Sequence, residues 1–227
     1  CGTSYTTTQA YYTTGDLAST TYPAEGGLAS ERVRTTYDGL GKVNELVGTN
    51  TYDNVSYTSI GQVSQQQRIS RDDLYYDYTY DLATGQLDGI KKISKIGSTV
   101  KHPQNAIFTN DEEGNVTSIA TTSDSAATDT QCFTYDHLQE LTSAWTPSSG
   151  NCATAPTAAG LGGPAPYWTN YAVDSATGNR TGTTTTATTG TATTATYIYA
   201  TAGSLHPHVV QSVTTTVGTI TPTTAIY

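Results

Sequence analysis

The sequence predicts an all-β protein made of tandem antiparallel β-hairpins that form a curved ribbon. Three observations point there. Thr is abundant and Tyr occurs 17 times against 2 Phe, and both Thr and Tyr favour a pleated, half-buried surface over a helix. With 21 Gly and 8 Pro the chain is punctuated often, as short strands joined by turns require. A short stamp also recurs in phase along the chain: aromatic-x-aromatic-Asp, then Gly, then an aliphatic residue two positions after the Gly.

The copies run in order. Tyr11 is followed by Gly15 and Leu17, Tyr37 by Gly41 and Val43, and Tyr57 by Gly61 and Val63. Tyr80 precedes Gly85 and Leu87, and Phe108 precedes Gly114 and Val116. Tyr135 precedes Leu141 with Gln139 in the glycine position, and Tyr171 and Asp174 lead to Gly178. Tyr197 and Tyr199 lead to Gly203, and "AIY" at Tyr227 resembles the start of another copy. Eight copies in phase, about 20 to 30 residues apart with one longer gap before Gly178, are a strong signal where a single copy would be weak.

One copy, "YTYDLATGQLDGI" (residues 78 to 90), explains the others. Side chains alternate along a strand, so Tyr78 and Tyr80 project from one face and Thr79 from the other. Asp81 opens a turn, since its carboxylate can accept bonds from backbone amides further on. Gly85 supplies the positive φ that closes the turn, and Leu87 starts the return strand. A lone hairpin of this kind is marginal. Stacked on its neighbours it buries its tyrosines between units, as solenoid repeats do.

These residues resemble the RHS or YD-repeat family. The likeness rests on Tyr80-Asp81 with Gly85, Tyr135-Asp136, Tyr37-Asp38 with Gly41, and the "TGNRT" run from Thr177 to Thr181 that contains Gly178. Departures are Gln139 for Gly, Asn110 for Tyr, Val173 before Asp174, and Ala200 for Asp. The resemblance implies a ribbon of β-sheet that spirals into a hollow shell, as in bacterial polymorphic toxins, the C components of insecticidal toxin complexes and teneurin-like surface proteins. It implies a non-catalytic wall segment, residues 1–227 with about eight repeats, incomplete at both ends, whose complete shell encloses or displays a toxin or effector domain. The family's Asp-Pro-x-Gly-Leu autocleavage signature is not found in this sequence, nor is a C-terminal toxin domain. The alternative is an extracellular adhesin-like or teneurin-like module that binds a partner protein or a carbohydrate. The expected partners are the rest of the same shell or further copies of the chain, since an isolated wall has open strand edges that attract other strands.

Charge narrows the partners. The net charge is −9 and the pI about 4.6, so a phosphate backbone is repelled and no Lys/Arg cluster offsets this. Anionic membrane is disfavoured likewise. No run of about 20 apolar residues exists for a transmembrane helix. Met is absent and the chain starts at Cys1 with no signal peptide, so a processed product or a piece of something longer is expected. The composition reads as secreted or cell-surface. Cys132 and Cys152 have 19 residues between them and flank a strand-turn-strand segment. They form a disulfide, worth about 3 kcal/mol through loop entropy, or two buried thiols. Cys1 is left over, free or paired elsewhere.

No catalytic residue, metal site or cofactor is expected. His206-Pro207-His208 lacks a third ligand, and His102 and His137 stand alone. "NDEEGN" (Asn110 to Asn115) bunches carboxylates but lacks EF-hand spacing. Asp72-Asp73 and Glu112-Glu113 point to opposite faces of a strand unless they lie in a turn. No nucleophile elbow is present. Asn54, Asn115 and Asn179 fit the glycosylation pattern, which is common by chance in a Thr-rich chain. Residues 181 to 196, Thr, Ala and Gly only, read as a strand pair around a Gly-containing turn, and residues 148–166 as an irregular loop. Tyr-rich sheets can stack on sugars, and open ring faces at Tyr80 and Tyr135 would favour that role.

Overall fold

The computed structural model describes residues 4–69, 73–124, 126–201 and 203–227. Cys1 and Asp72 fall outside them, and the side chain of Thr51 is not described. Among the described residues there are seventeen strands, one short 3-10 helix and no α-helix. The chain divides into two compact units, residues 1–105 and 106–227.

The first unit holds β1 (Thr8–Tyr11), β2 (Leu17–Tyr22), β3 (Glu31–Tyr37), β4 (Val43–Val47), β5 (Thr51–Tyr57), β6 (Val63–Arg68), β7 (Asp73–Tyr80) and β8 (Leu87–Ile96). Each pairs antiparallel with the next in sequence. Among its described residues only Ser19 and Thr35 are buried. No second layer covers this sheet within the unit, so its stability comes from cross-strand pairs within the sheet.

β9 (Thr99–Asn110) leads into the second unit, followed by β10 (Val116–Ser123), β11 (Ala126–Tyr135), β12 (Leu141–Trp145), β13 (Trp168–Val173), β14 (Arg180–Thr186), β15 (Ala192–Tyr199), β16 (Val210–Val217) and β17 (Thr223–Ile226). Pairing again follows sequence order, antiparallel throughout from β10 onward. The 181–196 segment is a hairpin, β14 and β15 joined by a turn at Gly190. This unit has a small core of Cys132, Trp145 and Leu161, with Cys152 and Trp168 packed against it.

The eighth copy differs from the sequence reading. Tyr199 pairs with Val210, not with Leu205, which is 93% exposed. Ala200 stands where other copies have Asp, so no carboxylate gathers the turn amides, and residues 200–209 separate the two strands.

Candidate functional site

The repeated turn is the feature that positions everything else. In seven hairpins the register shifts at the residue just before the turn: Tyr11, Tyr37, Tyr57, Tyr80, Tyr135, Val173 and Tyr199. The strand that returns carries one extra residue there, a β-bulge. Tyr37 thereby sits opposite Val43, Tyr57 opposite Val63 and Tyr80 opposite Leu87.

The turn chemistry is uniform. Asp38 Oδ1 accepts from the Leu40 and Lys42 amides at 2.8 and 2.9 Å. Asp81 Oδ1 accepts from the Ala83 and Thr84 amides at 3.1 and 2.7 Å and from the Thr84 hydroxyl. Asp136 and Asp174 do the same with Leu138 and Glu140, and with Ala176 and Thr177. In the third copy Thr58 replaces Asp, and its hydroxyl accepts from the Gln62 amide at 3.1 Å. The Thr84 amide, then its hydroxyl, holds the Asp81 carboxyl below its ordinary range. The Glu140 amide is the main cause for Asp136, and the Thr177 hydroxyl for Asp174. These carboxylates are acceptors committed to backbone.

The glycine positions need left-handed backbone. Gly41 (φ 77), Gly85 (φ 73) and Gly178 (φ 70) all adopt it. Gln139, in the same position of the sixth copy, takes φ 63 and is the one non-glycine with positive φ among the described residues.

Above the turns lies a rung that ties five of the hairpins to the one before. The Tyr37 hydroxyl donates to the Leu17 carbonyl at 3.1 Å, Tyr57 to Val43 at 2.6 Å and Tyr80 to Val63 at 2.9 Å. In the second unit Tyr135 donates to Val116 at 2.9 Å and Tyr199 to Arg180 at 3.0 Å. The acceptor is always the first residue of the preceding return strand. The same position is Asn110 or Val173 in two other copies, neither of which has a phenol to donate. Phe would fill the space and lose the bond. Burial raises the Tyr80 and Tyr135 phenols above their ordinary range. Both rings are half-buried. Tyr78 and Tyr80 share one apolar patch with Tyr57, Val63 and Leu87.

A second link runs along the turns of the first unit. The residue after one turn glycine reaches the carbonyl of the next: Lys42 Nζ to Gly61 at 2.6 Å, and Gln62 Nε2 to Gly85 at 2.7 Å. Neither link was singled out in the sequence. Its only trace there is a long donor side chain directly after each glycine.

In the second unit Cys132 and Cys152 are joined by a disulfide with Cα atoms 5.4 Å apart. It pins the segment between β12 and β13. Thr146, 1% exposed, pairs with Tyr167 in both directions: its amide donates to the Tyr167 carbonyl, and its hydroxyl accepts from the Tyr167 amide at 2.9 Å. The Ser148 amide donates to the Gly160 carbonyl at 2.8 Å. The Tyr167 phenol donates to Gln131 on β11 and is raised chiefly by burial. The irregular loop thus covers the disulfide and Trp145.

The remaining candidates are dispersed. Asp111 accepts from both the amide and the side-chain amide of Asn115, while Glu112 and Glu113 are exposed at the turn tip. Asn179 donates to the Pro207 carbonyl and meets His208 Nδ1 at 2.7 Å, and His206 is exposed. Asn54 is an exposed residue of β5. Among the described residues no three His, Cys, Asp or Glu side chains are grouped to hold a metal. No helix there is long and apolar enough to cross a membrane.

Bulged antiparallel hairpins in series, five of them tied by a phenol to the one before, define an RHS-type repeat fold, and the chain has that fold. Two crystal structures share it: TcdB2-TccC3-Cdc42, and TcdB2-TccC3 without its hypervariable C-terminal region. Each matches at TM-score 0.64 and 24% identity over 86% of this chain. The match takes in 10% of those chains, so this chain spans about a tenth of their length. No family model matches the chain, and no curated protein is similar to it by sequence.

Proposed function

We propose that the chain is a non-catalytic wall segment of an RHS/YD-repeat shell, and that the complete shell encloses or displays a toxin or effector domain. The observation that carries this reading is the phenol-to-carbonyl rung. It joins five of the hairpins to the one before in the same register, and nothing in its geometry limits the number of units. A wall is the natural product of such a joint, because stability is summed from neighbour to neighbour. The turn carboxylates and the rung phenols are consumed by backbone, so the repeated residues serve structure rather than chemistry. The disulfide favours an oxidising, extracellular setting. β1 and β17, exposed along their whole lengths, are the strands through which the segment meets the rest of its shell or other copies.

Limited proteolysis of the complete gene product that carries this segment tests enclosure. The segment that follows the repeats should resist protease in the native protein and become susceptible when Gly85→Val opens the wall. Equal digestion in both proteins overturns enclosure. Sedimentation of the segment alone tests the edges: it should associate, and a dispersed monomer at high concentration contradicts an open wall.

A further inference from the structure

The first unit carries a cleft of about 600 Å³ that the repeat pattern does not account for. Its walls include Tyr5, Tyr22, Tyr52, Leu28, Glu25 and Glu31. The β2–β3 turn builds one side. Glu25 and Leu28 exchange both backbone bonds, at 3.1 and 2.8 Å, across Gly26 (φ 58) and Gly27 (φ 84), the geometry of a two-residue hairpin turn with left-handed centres. The Ser30 hydroxyl fastens this arm by donating to the Tyr22 carbonyl at 2.8 Å.

The other side is built around Glu31. Its Oε1 accepts from the Thr49 amide at 2.9 Å and from the Tyr52 hydroxyl. Gly48 makes that meeting sterically feasible. A Cβ there would stand 2.5 Å from Glu31 Oε1 and 2.6 Å from the Tyr52 ring, and Gly48 is not among the positive-φ glycines. Space, not backbone conformation, demands glycine at this position. The Thr49 amide first, and the Tyr52 phenol second, hold the Glu31 carboxyl below its ordinary range, so it is charged at neutral pH.

Among the described residues the lining contains two carboxylates, three phenol rings and no Lys, Arg or His. Elsewhere the molecule supplies its own cations to tyrosine faces: Lys42 over Tyr57 at 5.1 Å, Lys95 over Tyr75 at 4.5 Å, Lys92 over Tyr76 at 5.8 Å and Arg180 over Tyr197 at 4.6 Å. None of the three cleft rings has such a cation among the described residues, and they are 53%, 49% and 38% exposed. We infer that this cleft binds an organic ammonium group, of the quaternary alkylammonium class, from solution or from a ligand that carries one. Ring faces attract a large, weakly hydrated cation electrostatically, Leu28 contacts its alkyl shell, and Glu25 and Glu31 supply the countercharge.

Choline is the probe, titrated into the intact chain and followed by the tyrosine ring signals in NMR. A dissociation constant on the order of millimolar is expected for a ligand this small. The uncharged isostere 3,3-dimethylbutan-1-ol should bind at least about tenfold more weakly, because only the charge differs. Tyr22→Ala and Glu25→Gln, both at the exposed arm and outside the repeat rungs, should each weaken choline by about threefold or more while leaving the far-ultraviolet spectrum unchanged. Equal binding of the isostere overturns the inference and leaves an apolar slot. Absence of any shift at tens of millimolar choline overturns it outright. So does saturable binding of methyl β-glucoside with none of choline, which would make the tyrosines a sugar platform.

Discussion

The β3–β8 stretch of the first unit and the disulfide-bridged loop of the second unit solve the same problem differently. Among its described residues the β3–β8 stretch buries one, Thr35. It is held by rungs at Tyr57 and Tyr80, turn carboxylates and the Lys42 and Gln62 links. The loop between β12 and β13 encloses Cys132, Trp145 and Leu161, all buried, and a covalent bond closes it. A repeating sheet without a second layer survives on many small, regularly placed bonds. An interruption in the repeat needs a core of its own.

This contrast is broken most forcefully at the disulfide. Cys152→Ser should cost about 3 kcal/mol, with the loss confined to the second unit. Hydrogen exchange should report faster exchange in β11 to β13 and no change in β3 to β8. Gly85→Val comes next. A side chain held at φ 73 costs roughly 1–2 kcal/mol, and a β-branched one stands at the upper end. Chemical denaturation should show the loss, and exchange should place it in β7 and β8.

The rung is a smaller and sharper test. Tyr80→Phe keeps the ring and removes the bond to Val63, for about 1 kcal/mol. The phenols also predict a pH dependence. Burial raises Tyr80, Tyr135 and Tyr167 in the folded state above the ordinary value of 10.0. A raised folded value means that the stabilisation is complete below pH 10 and is lost as pH rises through the folded values. Thermal melting should therefore hold steady at neutral pH and fall on the alkaline side, less steeply in Tyr80→Phe. The turn carboxylates work in the opposite sense. Asp81, Asp136 and Asp174 lie below 3.8 in the fold, so their contribution is present above that value and disappears as pH falls through the folded values.

The smallest effect has the opposite sign. Gln139 holds left-handed backbone at φ 63, so Gln139→Gly should stabilise by about 1 kcal/mol, less whatever the freer unfolded chain takes back. A melting temperature that falls would place the Gln139 side chain among the contacts that hold the turn.

The turns were legible in the sequence because their requirements are local. Positive φ selects Gly, and amide capping selects Asp, so Tyr80-Asp81 with Gly85 could be read without partners. The Gly190 turn carries neither Tyr nor Asp, so the hairpin was readable but its kinship to the stamp was not. The rungs were only half legible. The recurring Tyr position was readable, but the acceptor of its hydroxyl lies one unit upstream and leaves no mark in sequence, since any residue offers a carbonyl. Trp145 and Trp168 escaped notice for a similar reason. Their importance comes from a loop that folds back over them through Thr146 and Tyr167, and such non-local pairing has no period. The Glu31–Tyr52 contact was hidden because Gly48 resembles every other turn glycine until the space around it is known.

The rungs all point the same way, from a later phenol to an earlier carbonyl, over separations of 20, 14, 17, 19 and 19 residues. For a chain made from its N-terminus this is a polarity of assembly. Each rung phenol leaving the ribosome finds its acceptor already in place and waits for nothing downstream. With contacts this local, closure is fast and never depends on the far end of a long chain. A wall of any length can then be laid course by course as it is synthesised, with a single unfinished edge exposed at any moment.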